Sequence, residues 1–358
     1  MIIKQLTVEN YRCFDKAVID FDDKATIIVG PNGSGKTAIL ESLSVFLSLL
    51  NILYKKTGIL TRSFSDADIK KGCDHIAYKI NFDLRSFECV ITSGHDGLLS
   101  VLHNNYLSLV NDIAAQNEIF PILVYYSSDR HLYREDVRLA NDDFRVDDKL
   151  AFKNNFAPKI DYTSTLKWFK SLDIMEAKRV RDTRDVNYRE TALQAVKDVI
   201  AKVLLGRYDD PRLDDAGREL IVRERATGQY FPLSQMSHGF QSILSLTIDL
   251  ARRMAQAYPG TDSVLSSPAI ALIDEVDLHL HPSWEVSLLP TLIEAFPGTQ
   301  FIVTTQSVLV TGSLAPENVR ILGPDGVDLI DDAFPWDDFG PVLTRVFGVP
   351  RYISRRYP

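Results

Sequence analysis

One short run of this chain could hold a polyphosphate. Gly30-Pro31-Asn32-Gly33-Ser34-Gly35 leads directly into Lys36 and Thr37, which completes a G-x-x-x-x-G-K-[ST] pattern. Glycine permits the backbone angles that turn successive N–H groups inward around phosphate oxygens. A helix beginning at Lys36 adds the partial positive charge of its N-terminus. Lys36 is then expected to reach the β- and γ-phosphates, and the Thr37 hydroxyl to enter a Mg²⁺ shell.

More than half the chain later comes "AIALIDEVDLHLHP", residues 269–282. Its apolar run predicts a buried strand with Asp274 at the carboxyl end, where ligands of open α/β sheets sit. Asp274 is expected to hold Mg²⁺, and Glu275 to orient and deprotonate an attacking water. His279 and His281 lack a third nitrogen or sulfur ligand, so a zinc site is not expected.

In "LSQMSHGFQS", residues 233–242, Ser237 is a good N-cap, and Phe240, Ile243, Leu244 and Ile248 continue a helical stripe. An N-cap alone accounts for Ser237 but not for the small Gly239. A helix that offers N–H groups and a hydroxyl to a γ-phosphate held by a second subunit accounts for both Ser237 and Gly239, and the His238 ring between them is expected near that phosphate. No Asn-Lys-x-Asp run follows, which disfavours a guanine-nucleotide enzyme.

These motifs need strands that stop at the site. "IIKQLTVEN", "KAVIDF" and "ATIIVG" read as strands, the last ending in the glycine turn. "HIAYKINFDL", with Tyr78, Ile80, Phe82 and Leu84 on one face, joins "FECVIT", the turn 93–97 and "LLSVL" in an antiparallel meander. "PILVYY" looks like a central strand. Residues 127–205 read as mostly helical, "GRYDDPRLDDAG" as a loop, "ELIVRERATGQYFPL" as a hairpin, and "PAIALID" and "QFIVTT" as the last core strands. A hairpin around Gly323–Gly326 and a short helix near Val342–Phe347 finish the chain. The fold expected is α/β, a nucleotide core with a β meander and a mostly helical insertion. Its parts are 1–126 and 218–334 for the two core halves, 127–217 for the insertion and 335–358 for a tail.

Composition narrows the partners. The chain is 45% apolar with net charge −8, which argues against a body that coats nucleic acid. Three scattered cysteines without metal-ligand spacing suit a cytoplasmic protein. "LSVFLSLLNILY", residues 43–54, is too short to span a bilayer and is broken by Ser44, Ser48 and Asn51, so a buried helix is expected and no membrane. Lys178, Arg179, Arg181, Arg184 and Arg189 could meet nucleic acid phosphates, but the interleaved Asp182, Asp185 and Glu190 fit a solvated, salt-bridged helix equally well.

The whole motif order resembles the ABC-type ATPase heads of the RecF, SMC and OLD superfamily. More narrowly it is similar to the PtuA-like ATPase subunits of Septu and retron–HNH antiphage systems. The runs that carry this are "LTVENYRCF", "YYSSDR", "LKWF", "LSQMSHGFQ", "LIDEVDLHLHP", "FIVTTQS" and "VFGVPR". The resemblance implies an ATP-binding, Mg²⁺-dependent ATPase that dimerises around nucleotide. It also implies Arg12 as a phosphate contact, and Asp277 with His281 on a loop facing the partner subunit. Gln306 occupies a position where relatives carry a histidine, so slow or partner-dependent hydrolysis is expected. No acidic nuclease cluster and no Cys-x-x-Cys hook are present. A separate effector nuclease, of HNH type, is therefore the expected partner, with a reverse transcriptase and its nucleic acid as another. The alternative is a RecF-like repair ATPase that clamps duplex DNA; a transporter subunit is the weakest reading.

Overall fold

The computed structural model describes residues 1–55, 64–83, 86–92, 111, 119–130, 132–133, 148–261, 263–323, 326–329 and 342–347. Its strands are β1 (Ile3–Tyr11), β2 (Phe14–Asp20), β3 (Ala25–Val29), β4 (His75–Phe82), β5 (Ser86–Thr92), β6 (Ile122–Tyr126), β7 (Leu132–Tyr133), β8 (Ile160–Asp161), β9 (Tyr208–Leu213), β10 (Leu220–Glu224), β11 (Tyr230–Pro232), β12 (Ala269–Ile273), β13 (Thr299–Thr304), β14 (Val319–Gly323) and β15 (Gly326–Leu329). The long helices are α1 (Lys36–Lys55), α2 (Tyr162–Thr183), α3 (Thr191–Val203), α4 (His238–Ala257) and α5 (Pro282–Ala295).

The core is a six-stranded sheet in the order β15-β14-β3-β13-β12-β6. From β14 to β6 all neighbours are parallel, and only β15 runs back as a hairpin on β14. β3, β6, β12 and β13 are buried along their whole length, as continuous apolar strands covered on both faces should be. Their carboxyl ends gather the glycine loop, Asp274 and Thr304 at one edge of the sheet. That is where an α/β sheet binds ligands.

A second sheet, β2-β1-β4-β5, is antiparallel, in line with the expected meander. The buried face of β4 alternates through Ile76, Tyr78, Ile80 and Phe82. Phe46 of α1 packs on Tyr78, Phe82 and Phe87 with ring centroids 5.9, 5.9 and 4.8 Å away, tying the helix after the glycine loop to this sheet. Leu84, the turn 93–97 and the strand beyond it lie outside the described residues.

Helix α1 is long and apolar enough to cross a membrane by composition, the one such helix among the described residues. Leu43, Phe46, Leu47 and Leu50 are nonetheless buried in the core. The hydroxyls of Ser42, Ser44 and Ser48 donate to carbonyls three residues back, at 2.8, 2.8 and 2.9 Å, so their polarity is satisfied inside the helix.

Two elements differ from the sequence reading. β6 is not central but stands at the edge of the sheet order. Its apolar character follows from cover: Tyr125 N donates to Asn155 O at 3.0 Å, and Asn155 Nδ2 donates to Leu123 O. Residues 208–213, read as a loop, form β9, which pairs antiparallel with β10 in a β11-β10-β9 sheet. The register shifts between Ile221 and Arg223, and Asp210 there has φ 46°. A bulge accommodates the Asp-Pro pair that argued against a strand. The hairpins β10–β11 and β14–β15 form as expected. A single π-helical turn, Val342–Val346, occupies the place of the expected C-terminal helix; nearly all the rest of the tail lies outside the described residues.

Candidate active site

The glycine loop joins β3 to α1 as the motif requires. Gly30, Gly33 and Gly35 have φ 153°, 81° and 95°. At Gly35 a side chain would also meet the ring of Phe14 and the Cys13 thiol, so glycine serves both the backbone angle and a close approach. Lys36 Nζ donates to the carbonyls of Gly30 at 2.8 Å and Pro31 at 3.0 Å. Burial pushes its pKa down, while Glu275, Asp274 and Asp277 act in the opposite direction. Among the described residues the buried hydroxyl oxygen of Ser34 has no hydrogen-bond partner, which suits a loop built to meet phosphate. Asn32 and Gly33 line a cavity of about 530 Å³ with Cys13, Phe14, Lys16 and Leu322.

The second motif closes on the first. Thr37 Oγ1 lies 3.2 and 3.0 Å from the two carboxylate oxygens of Asp274, and Asp274 is buried. A hydroxyl beside a carboxylate is a hard oxygen donor set, and this pair fits Mg²⁺ with water completing the shell. Thr304, at the end of β13, donates from Oγ1 to Asp274 Oδ1 at 2.6 Å and accepts from the Glu275 amide at 2.8 Å. One buried threonine thus fixes both acids. Glu275 sits at φ 46°, uncommon for a residue other than glycine.

Gln306, exposed after β13, donates from Nε2 to Glu275 Oε1 at 3.0 Å. It therefore touches the candidate base directly. Asp277 accepts from Thr305 Oγ1 at 2.5 Å. His281 caps α5, accepting from the Ser283 amide at 3.3 Å.

Ser237 caps α4, with the Phe240 amide 3.5 Å from its oxygen. Ser237 and His238 are exposed, and among the described residues no hydrogen bond joins either to the glycine loop. The His238 ring lies edge-on to His279, centroids 5.9 Å apart. Gly239 has a local reason to be small. A Cβ there would run into the carbonyl of His279 in the same chain, so its size alone does not point to a nucleotide.

Arg12 is brought to two carboxylates, Glu41 at 2.5 Å and Asp68 at 2.9 Å. In the basic segment, Arg181 pairs with Asp182 at 3.4 Å and Arg179 lies over the Tyr188 ring at 5.3 Å, on an exposed helix end.

Sequence reasoning missed Thr304 and Arg130. Arg130 is buried beside the end of β6, and its guanidinium donates to the carbonyls of Asp274 and Glu275 at 2.5 and 2.7 Å. The signal was present in "YYSSDR", polar residues at the carboxyl end of a buried strand, but nothing in the pattern ties Arg130 to residues 274 and 275.

Comparison with known proteins gives the family. A family model described as "AAA ATPase domain" matches residues 1–308. The chain is 25% identical to "Retron Ec83 probable ATPase" of Escherichia coli, over 89% of this chain and 71% of that protein. It is 26% identical to "Septu protein PtuA" of Bacillus mycoides (strain KBAB4), over 89% of this chain and 40% of that protein. Among solved structures, an SMC head bound to the C-winged helix domain of ScpA matches with TM-score 0.50 and 16% identity, covering 92% of this chain and 98% of that one. That likeness concerns the fold.

Proposed function

The chain belongs to the AAA ATPase domain family and is an ATPase; from that premise we propose that it binds ATP with Mg²⁺ and closes as a homodimer over two nucleotides. The glycine loop wraps the phosphates with backbone N–H groups, and Lys36 leaves the Gly30 and Pro31 carbonyls to neutralise the β- and γ-phosphates. Thr37 and Asp274 hold Mg²⁺, which when bound offsets charge on the phosphate oxygens. Glu275 accepts the proton of the attacking water as the bond to the γ-phosphorus forms; ADP and phosphate leave. Gln306 orients the Glu275 carboxylate and, carrying no titratable proton, leaves hydrolysis slow. The cavity lined by Phe14, Asn32 and Leu322 takes the nucleoside.

The observation that carries the reading is the meeting of Thr37, Asp274, Thr304 and Glu275 at the carboxyl ends of adjacent parallel strands. Dimer closure rests on the exposed, serine-capped start of α4. A helix N-terminus whose capping hydroxyl is exposed and can still donate is suited to a partner's γ-phosphate. The relatives named for retron and Septu systems support a place in bacterial antiphage defence. There the ATPase governs a separate effector, an HNH-type nuclease, with a reverse transcriptase and its nucleic acid as a further partner.

Two measurements test this. Lys36→Ala is expected to lose ATP binding, whereas Glu275→Gln retains ATP and accumulates as a dimer; parental turnover in Glu275→Gln contradicts the base assignment. Purification from the native host is expected to bring down a nuclease. A clean protein with no companion contradicts the defence role, and strong salt-dependent binding of duplex DNA by the isolated chain favours a RecF-like clamp instead.

A further inference from the structure

We propose that Arg130 is a positioning residue that couples the first turns of α4 to the backbone of Glu275; this rests on the reading of Glu275 as the general base. Four hydrogen bonds define the link. Nη1 donates to the carbonyls of Asp274 at 2.5 Å and Ser127 at 3.2 Å, Nη2 to the carbonyl of Glu275 at 2.7 Å, and Nε to Ser242 Oγ on α4 at 2.8 Å. The side chain is buried, and its hydrogen bonds go to backbone carbonyls and one hydroxyl rather than to an acid. A planar fork with five donors can span such a set; the three donors of an ammonium on a single nitrogen cannot.

The bonds fall where the backbone needs holding. Glu275 is in the left-handed region, which persists in a non-glycine residue only when its surroundings fix it. The Glu275 amide is held by Thr304 and its carbonyl by Arg130, so both sides of the residue are pinned by side chains from other strand ends. Burial lowers the Arg130 pKa to about 10, against the pull of Asp274, Asp277 and Glu275; the guanidinium remains charged at neutral pH.

The Ser242 bond extends the clamp to α4. A cavity of about 150 Å³, lined by Ser128, Gln241, Ser242, Ser245, Leu278 and His279, lies beside Arg130. On this side α4 meets the loop in two ways, by the Ser242–Arg130 hydrogen bond and by the close approach of Gly239 to the His279 carbonyl. Movement of the α4 N-terminus, which carries Ser237, therefore reaches Glu275 through Ser242 and Arg130. Docking of a second subunit on Ser237 would set the placement of the base in the first.

The test is ATP turnover and ATP binding by the full-length Arg130→Met and Ser242→Ala variants, each also in the Glu275→Gln background. Arg130→Met is expected to lower kcat about 30-fold, because a displacement of about 1 Å at a reacting group costs up to about 100-fold. ATP affinity should stay within about threefold, since the clamp does not touch the phosphate loop. Ser242→Ala should show a smaller loss of the same kind, and Arg130→Lys only partial rescue. In the Glu275→Gln background neither substitution should reduce turnover further, as expected of residues acting through one group. Parental kcat in Arg130→Met, a loss confined to ATP affinity, or an additive loss on top of Glu275→Gln overturns the coupling. Should Arg130→Met not fold, parental kcat in Ser242→Ala does so. Parental turnover in Glu275→Gln alone instead refutes the base assignment itself.

Discussion

Replacing Thr304 by valine removes a hydroxyl that serves two partners and keeps nearly the same shape. The lost donor is a 2.6 Å bond to the buried Asp274 carboxylate, and bonds to charged groups contribute about 1.5–3 kcal/mol. The lost acceptor leaves the Glu275 amide, now 2.8 Å from Oγ1, without that partner, a cost of about 1–3 kcal/mol where it stays dry. Thr304 is fully buried, so the added methyl returns some of this through apolar burial at about 0.8 kcal/mol per carbon. The net expectation is a loss of about 2–5 kcal/mol, read as a lower urea midpoint at unchanged slope. Turnover should fall with it, because Asp274 and Glu275 lose their common anchor. Thr304→Ser keeps both bonds and should lose no more than about 1 kcal/mol, the worth of one methyl. Valine and serine variants equally destabilised would show that packing holds this position and that the hydroxyl does not, refuting the argument.

Gln306→His supplies an imidazole that can donate to Glu275 or to phosphate, and turnover per site should rise; an unchanged kcat means the glutamine amide already does that work. Asp249 is buried with Arg252 at 2.6 Å and Arg253 at 2.7 Å, and it accepts from Tyr126 at 3.0 Å. Asp249→Asn leaves two buried guanidinium groups without their carboxylate and should cost about 3–5 kcal/mol by chemical unfolding. Burial raises the Asp249 pKa, but the Arg253 and Arg252 charges outweigh it and hold the carboxyl below its ordinary value. A depressed folded-state pKa stabilises above the unfolded value of about 3.9 and loses that stability as pH falls through the folded one. Unfolding curves should therefore show the wild-type advantage over Asp249→Asn intact at pH 6 and shrinking below pH about 4; a constant difference across that range would contradict the sign.

The parts legible in the sequence are those where chemistry dictates residue type at fixed spacing. Glycines 30, 33 and 35 announce left-handed backbone before a helix, and the aliphatic run before Asp274 announces a strand end. What escaped depends on neighbours distant in sequence. Arg130 acts on carbonyls of residues 274 and 275, and backbone acceptors leave no mark on composition. Thr304 is an ordinary strand threonine until β13 is placed beside β12. Gly239 suggested a ligand, whereas its own chain's His279 carbonyl already requires it. β6 read as central because Asn155 covers an edge that hydropathy alone cannot distinguish from an interior position.

The central claim, that each nucleotide is completed by a second subunit, is tested by mixing two inactive variants. Lys36→Ala destroys the cradle, and Ser237→Arg obstructs the helix offered to the partner. In a two-fold dimer the mixed species rebuilds one intact site from the Lys36 of one chain and the Ser237 of the other, so random mixing should restore about a quarter of the parental ATPase rate. If each site is completed within its own chain, the mixture will hydrolyse no more ATP than the two variants measured separately.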